Sequence, residues 1–119
     1  MFSGHRNCTV DESELQQILS QYPGCVFVHG GAAGFDAQVN DFANKNLIPL
    51  RKYLPDYRRF GKSAPLKRND EMLDACDILV AAYDGRKSGG TFYTVNKAKN
   101  CGKKIILLHP HKSTLSQPP

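Results

Sequence analysis

Four short strand-like segments without regular alternation of apolar and polar residues restrict the architecture more than any other feature of this chain. They are Cys25-Val-Phe-Val-His29, Ile48 to Leu54, Ile78 to Ala82 and Lys104 to Leu108. Each is too short for a helix, and a strand that is apolar at successive positions needs a partner layer on both of its faces. Between the runs lie stretches with helical spacing. Leu15, Ile18 and Leu19 mark one face after Asp11 and Glu14, which have the spacing of a capping box. Phe35, Val39, Phe42 and Ala43 mark the next helix, ending near Asn46, and Leu66, Met72, Leu73 and Cys76 a third, with Ser63 as its N-cap and Pro65 in its first turn. Thr91 to Asn100, stopped by Gly102, is the fourth. The stretch from Pro55 to Ser63 is expected to be a loop. Strands alternating with helices predict an α/β domain with a mostly parallel sheet covered on both faces.

At 119 residues the chain fits one domain, expected over residues 1–110, with a flexible polar tail over 111–119. The longest apolar runs fall well short of the roughly 20 residues of a membrane span. No N-terminus of signal-peptide type is seen, so a cytoplasmic location and no membrane partner are expected. The net charge is +5, and the segment from Arg51 to Arg68 concentrates it: Arg51, Lys52, Arg58, Arg59, Lys62, Lys67 and Arg68 against the single acid Asp56. Such a segment suits a phosphate-bearing partner or is a solvated loop. The four cysteines, Cys8, Cys25, Cys76 and Cys101, form no Cys-x-x-Cys pair, which argues against a zinc ribbon or a dithiol redox centre. His29 and His109 are the one pair considered for a metal, but histidines at strand ends are commonly structural. No metal and no cofactor are assigned.

Parallel sheets bind ligands where strands end and helices begin, and two glycine-rich segments fall there. Gly30-Gly31-Ala32-Ala33-Gly34-Phe35-Asp36 joins a strand to a helix, a place where glycines admit a ligand to the backbone and free amides face the positive end of a helix dipole. A tight turn with no ligand is the alternative. The spacing is not that of a dinucleotide fingerprint. Asp84-Gly-Arg-Lys-Ser88-Gly89-Gly90-Thr91 offers two hydroxyls and accessible amides, also suited to an oxyanion, without Walker spacing. Between them, Arg68 opens a helix from which it could reach the same ligand.

In their order, His29-Gly-Gly-Ala-Ala-Gly-Phe-Asp36, Lys67-Arg-Asn-Asp-Glu-Met72 and Asp84-Gly-x-x-Ser-Gly-Gly-Thr91 resemble the SLOG superfamily of Rossmann-like nucleotide-binding domains, in particular its YspA-like branch. The likeness runs over about residues 3 to 108 and extends to the Lonely Guy phosphoribohydrolases and the DNA-processing protein A family. It implies a three-layer Rossmann-like domain with a sheet of four to five strands. It also implies a phosphorylated nucleotide or ADP-ribose-like ligand at the sheet's carboxyl edge, and association into a homodimer. The ligand residues implied are Gly4, Arg6, Gly30, Gly31, Gly34, Asp36, Arg68, Asn69, Ser88, Gly89, Gly90 and Thr91. Asp36 could hold the glycine turn or accept a ribose or base hydrogen bond.

Ser3-Gly4-His5-Arg6 resembles the turn after the superfamily's central first strand, yet Met1 and Phe2 alone precede it. A truncated first strand is therefore expected, completed by a very short strand, by residues upstream or by another subunit. Lonely Guy enzymes carry a glutamate three residues after the loop threonine, and here that residue is Thr94, which cannot supply acid–base chemistry. This favours a binding module over a phosphoribohydrolase, with Asp36, Glu71 and Asp84 as unassigned substitute carboxylates and no catalytic residue named. Single-stranded nucleic-acid binding is the third reading, resting on Tyr53, Tyr57 and Phe60 among the basic residues.

Overall fold

The computed structural model describes residues 1–112; the remainder of the expected tail, 113–119, lies outside the described residues. Its elements are β1 (Phe2–Gly4), β2 (Cys8–Thr9), α1 (Glu12–Gln21), β3 (Phe27–His29), α2 (Phe35–Lys45), β4 (Leu50–Lys52), α3 (Tyr57–Phe60), a 3₁₀ turn (Gly61–Ser63), α4 (Ala64–Ala75), β5 (Ile78–Ala82), α5 (Gly89–Asn100), β6 (Lys104–Leu108) and β7 (His111–Lys112).

β1, β5 and β6 form a parallel ladder in that order, with Phe2 opposite Val80 and Val80 opposite Ile106. β3 and β4 form a second parallel pair, Phe27 opposite Leu50. That pair lies beside β1, where the Phe2 and Phe27 ring centroids are 4.4 Å apart. The first strand is short, and the domain is an α/β unit compatible with a Rossmann-like fold.

The absence of polar alternation in the strands has a direct cause. Phe2, Phe27, Val80, Ala82 and Leu108 pack on Leu15 and Ile18 of α1 and on Phe35, Val39, Phe42 and Ala43 of α2. Their strand neighbours, Met1, Val28, Leu79 and Ala81, pack on Met72 and Leu73 of α4 and on Val95 and Ala98 of α5. Successive residues of a strand thus enter opposite cores, so both must be apolar.

Four local expectations are corrected. Asp11 stands at the N-cap of α1, but its side chain makes no capping bond. The Glu14 carboxylate instead accepts the His109 backbone N–H at 3.2 Å and lies 3.1 Å from its Nδ1, tying α1 to the end of β6. Ser63 likewise stands at the N-cap of α4, but its hydroxyl donates to the Phe60 carbonyl (2.8 Å) and makes no capping bond. The stretch expected to be a loop contains α3, begun by Asp56, whose Oδ1 accepts the Arg59 amide at 3.1 Å. His111 and Lys112, placed by the sequence in the tail, pair antiparallel with Thr9 and Cys8.

Candidate functional site

At the carboxyl edge of β1 a cleft of about 400 Å³ opens between the turn after β1, the start of α2, the first turns of α4 and the start of α5. Gly4, Arg6, Asp36, Arg68, Asn69, Gly89, Gly90 and Thr91 all line it, so residues from four separate segments meet at one place. Gly30, Gly31, Gly34 and Ser88 are not among its lining residues. A larger cavity, about 480 Å³, opens elsewhere, around Met1, Cys25, Tyr53 and Cys76; its lining is mostly apolar, with Arg51 and Asp77 as its charged side chains.

The first glycine loop is largely occupied by the protein itself. The Gly31 amide donates to His29 Nδ1 (2.9 Å), so the ring proton sits on Nε2, 3.1 Å from Asn40 Oδ1. The Ala32 amide donates to Asp36 Oδ2 at 3.0 Å. His29 is therefore spent on the turn and the neighbouring helix, far from the role of metal ligand, and His109 is engaged by Glu14. A Cβ on Gly34 would stand 2.1 Å from the Arg6 carbonyl oxygen, and one on Gly30 would stand 2.7 Å from Arg68 Cζ. Gly34 has a φ of +71° and lets the turn after β1 lie directly on the start of α2. Gly4 leaves the space filled by the Phe35 ring.

Arg68 is half-buried and held as a fork. Its Nη1 donates to the Gly30 carbonyl at 2.5 Å and its Nε to Asn69 Oδ1 at 3.1 Å. Burial lowers its pKa, partly opposed by the charge of Asp36. Asp36 is buried, and burial pushes its carboxyl above the ordinary value of 3.8 against the pull of the Ala32 amide, His29 and Arg68. It is the one acid among the residues lining the cleft.

The second glycine loop is open. Gly89, at φ +90°, has nothing within 4 Å of where a Cβ would be, and Gly90 meets only Asn69 Nδ2 at 3.5 Å. Ser88 sits at the N-cap of α5 with no side-chain capping bond. Thr91 is buried, its Oγ1 3.2 Å from the Ser3 hydroxyl, so it joins α5 to β1. Thr94 is buried too, donating to the Gly90 carbonyl at 2.9 Å. Glu71 is exposed outside the cleft lining.

Two contributors were missing from the ligand set read in the sequence. Arg86 lines the cleft, with Nε 3.0 Å from each Asp84 carboxylate oxygen and Nη2 2.5 Å from Oδ2. This pairing holds the Asp84 carboxyl well below the usual carboxylate range. His5, buried, lies 3.1 Å from Asp84 Oδ1, and its pKa is lowered by burial against the opposing charge of Asp84. Arg86 stands in a segment already marked by its glycines, and the position of an arginine two residues after an aspartate was its available signal.

The cleft thus brings Arg6, Arg68 and Arg86 together with the start of α5 and one buried acid. Comparison with known proteins identifies the family. The model of the YspA, cpYpsA-related SLOG family (YAcAr) matches residues 1–60, which hold the turn after β1 and the whole first glycine loop. The uncharacterized SPbeta prophage-derived protein YoqJ of Bacillus subtilis (strain 168) is 39% identical over 70 residues, 55% of this chain and 40% of that protein. The chain therefore spans less than half the length of this relative. No solved structure matches it. With half of its length matched by that family's model, and the turn after β1 seated on the glycine loop as described, the chain belongs to the YspA, cpYpsA-related SLOG family.

Proposed function

We propose that the chain binds a phosphorylated nucleotide or an ADP-ribose-like ligand in the cleft at the carboxyl edge of β1. Membership of the family points to a nucleotide-related function and to a small-molecule ligand. The observation that carries the finer reading is the meeting of three arginines from three segments with the open Gly89-Gly90 start of α5. Guanidinium groups and unblocked amides at a helix start are what a phosphate requires. Asn69 and Asp36 add hydrogen-bonding capacity for a sugar. No helix among the described residues is long and apolar enough to cross a membrane.

The test is a thermal-shift screen of the protein against nucleoside monophosphates, ADP-ribose and cyclic dinucleotides, with mass spectrometry of whatever copurifies. A ligand at 100 times its Kd adds about 2.7 kcal/mol of stability, a shift of several degrees for a domain of this size. The corresponding nucleosides without phosphate should give none. If no phosphorylated compound shifts the transition, the reading is wrong.

One observation favours hydrolysis as a second reading. Thr94 is buried and engaged, but Asp36 lies in the cleft with a carboxyl raised by burial, as a general acid requires. Release of free base from a nucleoside monophosphate, abolished in Asp36→Asn, would convert the binding site into an N-glycosidase.

A further inference from the structure

Beside the cleft, large apolar side chains stand in water. Leu54 is 69% exposed, Tyr57 57% and Leu66 37%; elsewhere among the described residues such exposure is confined to Val26, Leu47 and Leu107. Leu66 itself lines the cleft, on the same helix as Arg68. Leu54 folds over the first glycine loop, its Cδ2 2.8 Å from where a Cβ on Gly31 would stand, so Gly31 serves as its seat. α3, which carries Tyr57, packs against α4. Exposed apolar side chains beside a polar cleft are a surface kept for a ligand.

The charges around it narrow the choice of ligand. Arg58, Arg59, Lys62 and Lys67 lie on the same stretch of chain and are exposed. The nearby acid, Asp56, is engaged in capping α3. The surface therefore fits a partner that is flat and apolar in one part and anionic in another. A nucleobase attached to a phosphorylated ribose has both properties, whereas a phosphosugar has the second alone.

We propose that Leu54, Tyr57 and Leu66 form the seat for the base of a nucleoside phosphate whose phosphate lies on Arg68 and the start of α5. The inference rests on the phosphate-cleft reading above and specifies which phosphorylated compounds the cleft accepts. Base recognition comes from the α3 segment, outside the glycine loops.

The experiment is calorimetry of the full chain with AMP, GMP, CMP and UMP, each compared with ribose 5-phosphate. At least one nucleotide should bind about tenfold or more tightly than ribose 5-phosphate, the scale of one base–aromatic contact. Tyr57→Ala should remove most of that advantage and leave ribose 5-phosphate unaffected, while Tyr57→Phe should retain it. Equal binding of nucleotides and ribose 5-phosphate by the wild type overturns the base seat and leaves the phosphate cleft standing. So does a Tyr57→Ala variant that weakens both ligands alike or neither. If none of the five compounds binds, the phosphate-cleft reading fails and the seat with it. Steeply salt-dependent, Tyr57-dependent binding of oligothymidylate without any mononucleotide preference would also overturn it, assigning the surface to single strands.

Discussion

The two glycine-rich loops have similar compositions and similar places in the topology, yet they are put to different uses. In the loop before α2, neighbours fill the space that side chains would take: Arg68 over Gly30, Leu54 over Gly31, the Arg6 carbonyl against Gly34. Two of its amides are engaged by His29 and Asp36. In the loop before α5, Gly85 and Gly89 have positive φ and nothing nearby, and Gly90 has one loose neighbour. Glycine before a helix thus serves here once to let protein approach protein, and once to leave backbone uncovered. The first loop organises the cleft, and the second is the one with room for an external anion.

Alanine at one glycine in each loop gives the largest contrast. Gly34→Ala combines a left-handed backbone with a Cβ 2.1 Å from the Arg6 carbonyl oxygen, where neither chain segment can move aside cheaply. A loss of more than about 3 kcal/mol is expected from strain and overpacking together. Gly89→Ala meets no neighbour and should lose only the roughly 1–2 kcal/mol of the unfavourable φ. Urea denaturation of the two variants measures the difference. Comparable losses would mean that the first loop is not the tighter of the two.

Arg68 belongs to both regions, which makes it the sharper probe. Its Nη1 holds the Gly30 carbonyl, and its side chain lines the cleft that the α5 start completes. Arg68→Ala should lower affinity for a nucleotide found by the screen by about 1.5–3 kcal/mol, the range of a charge-assisted hydrogen bond, and stability by about 1 kcal/mol. Lys99→Ala, exposed in the last turn of α5, should leave that affinity unchanged. Equal losses of affinity at the two positions would point to diffuse electrostatics in place of a defined contact.

How far the sequence reaches is visible in the same contrast. Ile78–Ala82 and Lys104–Leu108 appear as strands over the residues expected; the first faces two cores, which requires an uninterrupted apolar run, whereas Leu107 of the second is exposed. The meeting of the Ser3-to-Arg6 turn, the start of α2, Arg68 and the α5 loop also follows from their shared place at the carboxyl ends of strands. What the side chains do inside the first loop does not follow. That Arg68 reaches back 38 positions to Gly30, or that His29 turns its Nδ1 toward the next loop amide, depends on rotamers that spacing does not encode. α3 was hidden for a different reason. Its four residues Tyr57-Arg-Arg-Phe60 bury none of their side chains fully, so no apolar period marks them, and the Asp56 cap is the one local signal.

The aspartates of the two loops extend the contrast to pH, with smaller effects. Asp36 is buried, and its carboxyl holds its proton more tightly in the folded chain than the ordinary 3.8. Its contribution to stability is therefore fully present below 3.8 and is lost as pH rises through the raised folded value. Asp36→Asn keeps an oxygen to accept the Ala32 amide and removes the titration. The stability of the wild type relative to the variant should decline as pH climbs through that window, as read from denaturation midpoints at successive pH values. Asp84 is exposed and already ionised far below this range through its pairing with Arg86, so Asp84→Asn should leave the midpoint near neutrality almost unchanged. Its effect should appear at His5 instead. Burial lowers the His5 pKa, the Asp84 carboxylate opposes that shift, and Arg86 reinforces it. Removing the carboxylate leaves the two lowering influences unopposed, so the His5 ring resonance should titrate at a lower pH in Asp84→Asn than in the wild type. An unchanged or raised His5 titration, or a destabilisation as large as that of Gly34→Ala, would show that the second loop is braced from within as firmly as the first.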